Sequence, residues 1–526
     1  MARPSRGRVG GPAQPAVVVG AGHNGLVCAL RLARAGVPVT VLEQADHPGG
    51  AVHTAPLTLP GFVHDVCAGF MPLTLASPAF DDLGVREAIE WVNPPVAMAH
   101  PFADGSAIGL HRDVDATADD LEAFAAGAGR AWQALVRPLA AQRDDVLQAA
   151  LTPFPPVAPA ARLALRLRRD AIDLARLMAG SSATAGLELF GDERAAAWLA
   201  GSAMHADLTP GASPGGGFAL GLQLLGHLAG WGFPRGGAGR LVDALTAGIE
   251  AAAGTVRCEA PVERVLVRRN RVAGVRVRGG EEIACDTVVL STSAGLVADL
   301  LEDGALPARL MTRLRRWRYG LGTFKADWAL SGPVPWTSAT ARQAGVVHLG
   351  DTLGHLFASH QQAGAGRVPD EPSMVVGQHT LHDATRAPEG RHTLYAYAHV
   401  PQRLDVPDHE VLARMERRLE AFAPGFGELV LARATHSPAD LERENPSMRG
   451  GDLAGGSCEI DQQLIFRPAP EMVRGRTPLR GLYVAGPSVH PGAGVHGVSG
   501  TAAARAVLAD RRLPRRVVRG LAAGYV

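Results

Sequence analysis

The chain has 526 residues, 52 Lys+Arg against 51 Asp+Glu and a formal charge of +1, so it carries no global field of the kind that draws in nucleic acid or acidic substrates. A hydrophobic share of 47% is ample for large cores, and the length suits three or four domain-sized pieces in which discontinuous domains are normal. The five cysteines (Cys28, Cys67, Cys258, Cys285 and Cys458) are odd in number, scattered and without a C-x-x-C, which argues against a disulfide framework, a dithiol centre or a metal site.

Residues 1–14 hold Arg3, Arg6 and Arg8 with no apolar segment behind them, which predicts a disordered lead-in and not a secretory signal. Val17 to Val19 then read as a buried parallel strand. Gly20, Gly22 and Gly25 form G-x-G-x-x-G, with His23 and Asn24 inside it, ahead of a helix over about Leu26 to Ala35. In such a unit the first glycine permits the tight turn, the second lets a pyrophosphate approach the backbone, and the third lets helix and strand pack closely. The helix N-terminus directs unpaired N–H groups at the phosphates. A second strand, Val37 to Leu42, ends at Glu43, which is 43 − 25 = 18 residues past the last glycine. That matches the acidic residue about 20 positions on that binds ribose hydroxyls. A carboxylate there disfavours a 2′-phosphate, and hence NADP. Gln44 follows it, then Pro48-Gly49-Gly50, then Gly61-Phe62-Val63-His64-Asp65.

Pro101 to Gly230 is Ala- and Leu-rich with a helical pattern, broken at Thr152 to Pro159. Its longest apolar stretch, Gly217 to Gly230, is interrupted by Gln223 and His227, which argues against a spanning helix. Pro234 to Leu241 leads into a helix. Strands follow near Val256, over Val262 to Val267 and over Val272 to Val277, and then Asp286 to Ser291. Leu296 to Arg480 alternates strands and helices. The block from Gly481 to Leu508 supplies one more strand, a turn with Gly486, Gly492, Gly494 and Gly497, and a helix start near Val498.

Taken with Gly322 to Trp328, Gly390 to Tyr397, Gly450-Gly451-Asp452 and Phe466-Arg467-Pro468, these segments resemble the flavin-dependent amine oxidase and carotenoid desaturase superfamily, in its phytoene-desaturase-like branch. The similarity runs from about Val17 to Leu508. It implies an α/β protein in which a Rossmann-like FAD-binding domain (15–100, 231–295 and 481–510) is interleaved with a mixed α/β substrate domain (101–230 and 296–480), followed by a basic tail over 511–526. FAD is the cofactor implied. Its expected contacts are Gly20, Gly22, His23, Asn24, Gly25, Glu43, Gln44, Gly49, Gly50, Val262, Gly486, Gly494, Val495 and His496, with the backbone around Val495 to Gly497 against the N1–C2=O edge of the flavin. Carotenoid desaturases carry Arg two places after the acidic residue and directly after the double glycine. Here those positions are Ala45 and Ala51, which removes two bidentate anion contacts and argues against a carotenoid substrate.

The flavin does most of the chemistry in such enzymes, so no dense acid–base constellation is expected. Three side chains are candidate catalytic groups. Lys325 is the only lysine of the chain, in an apolar strand pattern. It is either a buried or flavin-proximal amine, able to lose its proton as Arg cannot, or a chance survivor reaching the surface. His496, with His490 nearby, is either a proton-transfer group of the pocket or a prop for its own turn. His64 lies in a loop bordering the cofactor, next to Asp65, which is read as a cap for local backbone. Two basic stretches (Arg162, Arg166, Arg168 and Arg169, then Arg511, Arg512, Arg515, Arg516 and Arg519) are either solvated faces or a peripheral contact with an anionic membrane. The expectation is a cytoplasmic FAD-dependent oxidoreductase that moves a hydride from a small lipophilic substrate to flavin N5. Oxidation of a small amine and a non-catalytic flavoprotein remain as alternatives, no nucleic-acid partner is expected, and the oligomeric state stays open.

Overall fold

The computed structural model describes residues 15–511, and two sheets organise it. The first has five parallel strands in the order Leu482–Val484, Thr287–Leu290, Ala16–Val19, Val39–Leu42, Thr255–Arg257. Ala-Val-Val-Val and Thr-Val-Val-Leu are buried along their whole length, as strands covered on both faces must be. Alternation assigns their side chains to two cores. Ala16 and Val18 pack with the helices His23–Arg34, Gly239–Ala251 and Val498–Asp510. Val17 and Val19 face an antiparallel meander (Val262–Arg268, Arg271–Val277, Glu282–Ala284) and the helices Ala294–Asp299 and Ala308–Arg315. The chain leaves Ala16–Val19 toward Val39–Leu42 on one side and fills Thr287–Leu290 and Leu482–Val484 on the other, so strand order reverses between Ala16–Val19 and Thr287–Leu290. The carboxyl ends at such a reversal form the ligand crevice of open α/β sheets.

The second sheet has seven strands in the order Val430–His436, Gly322–Leu330, His392–Val400, Met374–Gly377, Ala344–Leu349, Val96–Pro101, Ala107–His111. Its pairs are antiparallel except Ala344–Leu349 with Val96–Pro101. Helices from Val114–Phe124 to Gly215–Leu228 pack over one core beside this sheet.

Two boundaries differ from expectation. Val96–Pro101, expected to end the nucleotide-binding part, belongs to the seven-stranded sheet, and the stretch expected to be helical from Pro101 begins with the strand Ala107–His111. Val-Ala-Met-Ala is a short buried apolar run, and periodicity cannot tell which of two sheets such a run joins. The break at 152–159 is present, with one helix ending at Ala150 and the next spanning Val157–Leu167. No helix among the described residues is long and apolar enough to cross a membrane. The lead-in over 1–14 and Arg512, Arg515, Arg516 and Arg519 lie outside the described residues, whereas Arg511 donates to Asp286 at 2.7 Å.

Candidate active site

The crevice is built first from glycines. Gly20 ends the central strand at φ +96°, and a Cβ there would stand 2.9 Å from the Ser291 carbonyl oxygen on the neighbouring strand end. A Cβ on Gly25 would lie 2.1 Å from the Gly20 carbonyl oxygen, so helix and strand approach too closely for any side chain. Gly22 is the opposite case: nothing lies within 4 Å of where its Cβ would be. No side chain caps the helix His23–Arg34. Its first N–H groups therefore face open space that a diphosphate fits. Glu43 closes the next strand with both carboxylate oxygens held by backbone: Ala21 N–H donates to Oε2 (2.7 Å), and Gln44 and Ala45 N–H donate to Oε1 (2.8 and 3.1 Å).

A cavity of about 850 Å³ starts from this crevice. That is near the top of the range occupied by a single bound ligand, roughly 300–1,000 Å³. Eleven of the expected cofactor contacts are on its wall: Gly20, Gly22, His23, Asn24, Glu43, Gln44, Gly50, Val262, Gly486, Gly494 and Val495. Gly25 and Gly49 are not. They act in packing, since a Cβ on Gly49 would be 2.3 Å from the Val52 carbonyl oxygen while its N–H donates to Ala21 at 3.0 Å. The wall also contains residues that sequence reasoning missed: the stacked rings of His47 and His53 (centroids 3.8 Å apart), Cys67, His205, His436, and Glu444 to Met448. Only the tertiary fold brings these together, and no local motif marks them.

The three candidate catalytic side chains are all off this wall, for separate reasons. His496 serves its own turn: Val498 N–H donates to Nδ1 (3.1 Å) and Nε2 donates to the Gly492 carbonyl (3.0 Å), which fixes one neutral tautomer. Burial lowers its pKa to about 4, and no nitrogen is left for a pocket proton. His490 is lowered to about 4 by burial as well, and packs edge-on against Phe154. His64 is buried with Nε2 2.8 Å from Thr58 Oγ1 and Nδ1 3.3 Å from Asp327 Oδ1, pointing into the protein. Lys325 is only 2% exposed, which discards the surface survivor. Its ammonium pairs with Asp327, 5.4 Å from the Tyr395 ring centroid, and does not line the cavity. Lys325 and Asp327 of the seven-stranded sheet and His64 of the short pair Thr54–Ala55 and His64–Asp65 thus form a buried polar chain. Asp65 does not cap local backbone: it accepts from the distant Ala238 N–H (2.8 Å) and from Thr54 (2.6 Å), and it pairs with Arg386 (2.8 Å). Burial pushes its carboxyl up, and Arg386 and His379 more than reverse this, leaving it below the ordinary value.

Toward the seven-stranded sheet, His205 on the cavity wall is 2.9 Å (Nδ1) from the Tyr397 hydroxyl and 2.8 Å (Nε2) from His348 Nε2. Burial lowers His205 to about 4, so the ring is neutral near pH 7. The described residues contain no group of three His, Cys, Asp or Glu that could hold a metal ion.

A Rossmann-like parallel sheet, a glycine crevice at its switch point and a closing C-terminal glycine turn define an FAD-binding oxidoreductase fold. The chain belongs to the flavin-containing amine oxidoreductase family, whose model matches residues 25–508. Its cofactor is accordingly FAD, and membership in this oxidoreductase family replaces the non-catalytic alternative. Among curated relatives, it is 28% identical over 95% of the chain to pyridine nucleotide-disulfide oxidoreductase domain-containing protein 2 of Rattus norvegicus, covering 94% of that protein. It is 29% identical over 94% of the chain to hydroxyneurosporene desaturase of Rhodobacter capsulatus, covering 98% of that protein. With phytoene dehydrogenase of Streptomyces griseus the identity is 29% over 98% of the chain and 99% of the relative. Among solved structures, an oxidoreductase from Methanosarcina mazei superposes with a TM-score of 0.62 at 18% identity, covering 94% of this chain and all of that one. Putrescine oxidase bound to putrescine gives 0.59 at 16% identity, covering 96% of this chain and all of that one. At such identities these superpositions show the fold alone.

Proposed function

We propose that this enzyme is an FAD-dependent dehydrogenase or desaturase that takes a hydride from a C–H bond of a small apolar substrate, of the lipid or isoprenoid class, onto flavin N5. The observation that carries this reading is the composition of the cavity. One continuous space joins the Gly22 cradle to His205, and Leu57, Val66, Leu296, Leu441, Met448 and Leu453 line it. The N–H groups that open helix His23–Arg34 would hold the diphosphate, with Gly20, His23 and Asn24 around it. Glu43 would hold the ribose, with Gln44 and Val262 along the nucleotide end. Gly486, Gly494 and Val495 would face the flavin. Lys325 and His64 act through Asp327 as positioning residues behind the wall.

Amine oxidation is the second reading, and Glu444 on the wall is the observation in its favour, since a carboxylate there could receive an ammonium. Against it, no Phe, Tyr or Trp is on the wall, so a pair of aromatic rings framing the substrate amine is lacking among the described residues. Anaerobic mixing of the oxidised holoenzyme with lipophilic alkenes and alcohols on one side, and mono- and diamines on the other, separates the two. We expect bleaching of the flavin by a member of the first group. Bleaching at a catalytic rate by an amine and by no lipophile would transfer the reading to amine oxidation.

A further inference from the structure

Arg467 has no solvent-exposed surface. Its guanidinium is surrounded by main-chain carbonyls: Nε donates to Pro487 (3.0 Å), Nη1 to Ser457 (3.1 Å) and Gln462 (3.5 Å), and Nη2 to Ala454 (2.7 Å) and Gly456 (3.4 Å). Trp317 covers it at 5.8 Å from the ring centroid. Among the described residues no carboxylate comes within the 4.0 Å of an ion pair. The nearby acid, Asp452, already accepts from the N–H groups of Gly320 (2.9 Å), Ala454 (2.6 Å) and Gly456 (2.7 Å).

Two of these contacts reach the cavity. Ala454 and Pro487 are on its wall, so the guanidinium sits one layer of backbone behind it. A Cβ on Gly492 would lie 2.7 Å from Arg467 Nε, which puts the same charge beneath the turn that delivers Gly494 and Val495 to the wall. Carbonyl dipoles solvate a cation without neutralising it, and in a low-dielectric interior its field is weakly screened. Burying a charge without a contacting counter-ion is costly, and the fold retains here a cation on which the nearby Asp452 acts only from beyond ion-pair distance.

We propose that Arg467 is the counter-charge for the reduced cofactor. Hydride uptake carries two electrons and one proton from a substrate C–H bond to flavin N5 and leaves one net negative charge on the ring, while the substrate cation loses its second proton to solvent. A fixed cation behind the wall stabilises that anionic ring more than the neutral oxidised one, and so raises the two-electron potential. Arg467 touches neither cavity nor substrate and is a positioning residue in this sense. The inference rests on FAD occupying this cavity.

The test is the flavin potential, measured by dye equilibration on holoenzyme carrying Arg467→Gln or Arg467→Lys. Arg467→Gln should make reduction at least tenfold less favourable, which is about 30 mV for a two-electron couple. Arg467→Lys keeps the charge and should stay within about threefold of wild type. A potential unchanged within twofold in Arg467→Gln overturns the proposal. So does a tenfold loss of oxidised-FAD affinity at unchanged potential, which would give the charge to the diphosphate. Wild type provides a second reading should Arg467→Gln fail to fold: photoreduction at pH 6 to 8 should give the spectrum of the anionic reduced flavin throughout, and a neutral reduced flavin at pH 7 overturns the proposal. A wild-type protein that binds no FAD would instead break the cofactor reading, independently of Arg467.

Discussion

The two ends of the cavity achieve polarity in different ways. At the parallel sheet the groups aimed at the ligand are backbone or are held by backbone: Gly22 with open space beside it, the uncapped start of helix His23–Arg34, and the Glu43 carboxylate oriented by three N–H donors. At the seven-stranded sheet the polar atoms are side chains bonded to one another, as in Tyr397–His205–His348 and Lys325–Asp327–His64. Backbone cradles depend on where side chains are missing, so a substitution there blocks a ligand and can leave the fold alone. Buried side-chain chains depend on every member, so a substitution there disturbs stability and chemistry together.

The sharpest way to break that contrast is within the glycine motif itself. Gly22→Arg should leave a folded protein with no retained flavin, because its side chain has room in the fold but occupies the diphosphate's place. Gly25→Val should instead lower stability by about 3 kcal/mol or more, since its Cβ meets the Gly20 carbonyl oxygen at 2.1 Å and overpacking of this kind is poorly relieved. Absorbance at the flavin bands and thermal unfolding of the apoproteins separate the two outcomes. A folded Gly22→Arg protein that keeps FAD would sink the cofactor assignment.

For the side-chain end, Lys325→Met removes one member of a buried ion pair and should cost about 3–5 kcal/mol in denaturant unfolding. Lys325→Arg must fit a larger planar group near Tyr395 and should cost about 1–3 kcal/mol. Both variants should still bind FAD and reduce it with substrate at least roughly tenfold more slowly, a barrier change of about 1.4 kcal/mol. If both are destabilised but reduce at the wild-type rate in stopped flow, the chain Lys325–Asp327–His64 is structural alone.

These contrasts follow how legible each part was. The strands Ala16–Val19, Val39–Leu42 and Thr287–Leu290, and the reach to Glu43, were readable because a β-branched run, a glycine spacing and an acid about 20 residues on are local signals. The single lysine left a buried amine and a surface survivor equally open, and burial decides for the first; its partner Asp327 was not legible as such from an apolar strand pattern. His496 stayed open between two roles because glycines around a histidine resemble a pocket as much as a turn that the ring itself bonds, and the ring bonds its turn. His205 lies on a short 3₁₀ turn, Met204–Ala206, and only the pairing of distant strands brings Tyr397 and His348 to it. Nothing within a window of local sequence records that meeting.

Acid should expose the same difference. Burial lowers His100, His205, His227, His360 and His496 to about 4 and His23 and His379 to about 3. Between those values and the ordinary 6.5 the unfolded chain binds more protons than the native one, so stability rises with pH across that window and is lost as pH falls from about 6.5 toward 4. Asp207 and Asp452, raised by burial, work in the opposite sense above the ordinary carboxylate range and offset part of the slope. The net expectation is at least one proton taken up on unfolding between pH 6.5 and 5, about 1.4 kcal/mol per pH unit. Chemical denaturation of the apoprotein at several pH values measures it. A flat profile would mean that these rings are neutralised or hydrated in ways the burial pattern does not predict.

The smallest effect concerns the outer helices. Of the basic stretch near residue 165, Arg162 pairs with Asp145 at 2.7 Å and Arg166 reaches the same carboxylate at 3.4 Å, so two of its four charges are already engaged. Arg168 and Arg169 carry no ion pair among the described residues. Beside them the helices Val157–Leu167 and Asp170–Ala179 leave Val157, Leu165 and Ile172 exposed at 68%, 78% and 74%. Two free arginines near an anionic surface contribute about 1 kcal/mol each, and three apolar side chains entering the headgroup boundary add an amount that does not depend on lipid charge. Binding to anionic vesicles should therefore exceed binding to neutral ones by about thirtyfold, since about 1.4 kcal/mol is a factor of ten, and Leu165→Asp with Ile172→Asp should abolish both. Sedimentation with the two vesicle types decides it. Equal and negligible pelleting would leave these helices as a solvated face, and the lipophilic substrate proposed above would then have to reach the cavity from solution or from another carrier.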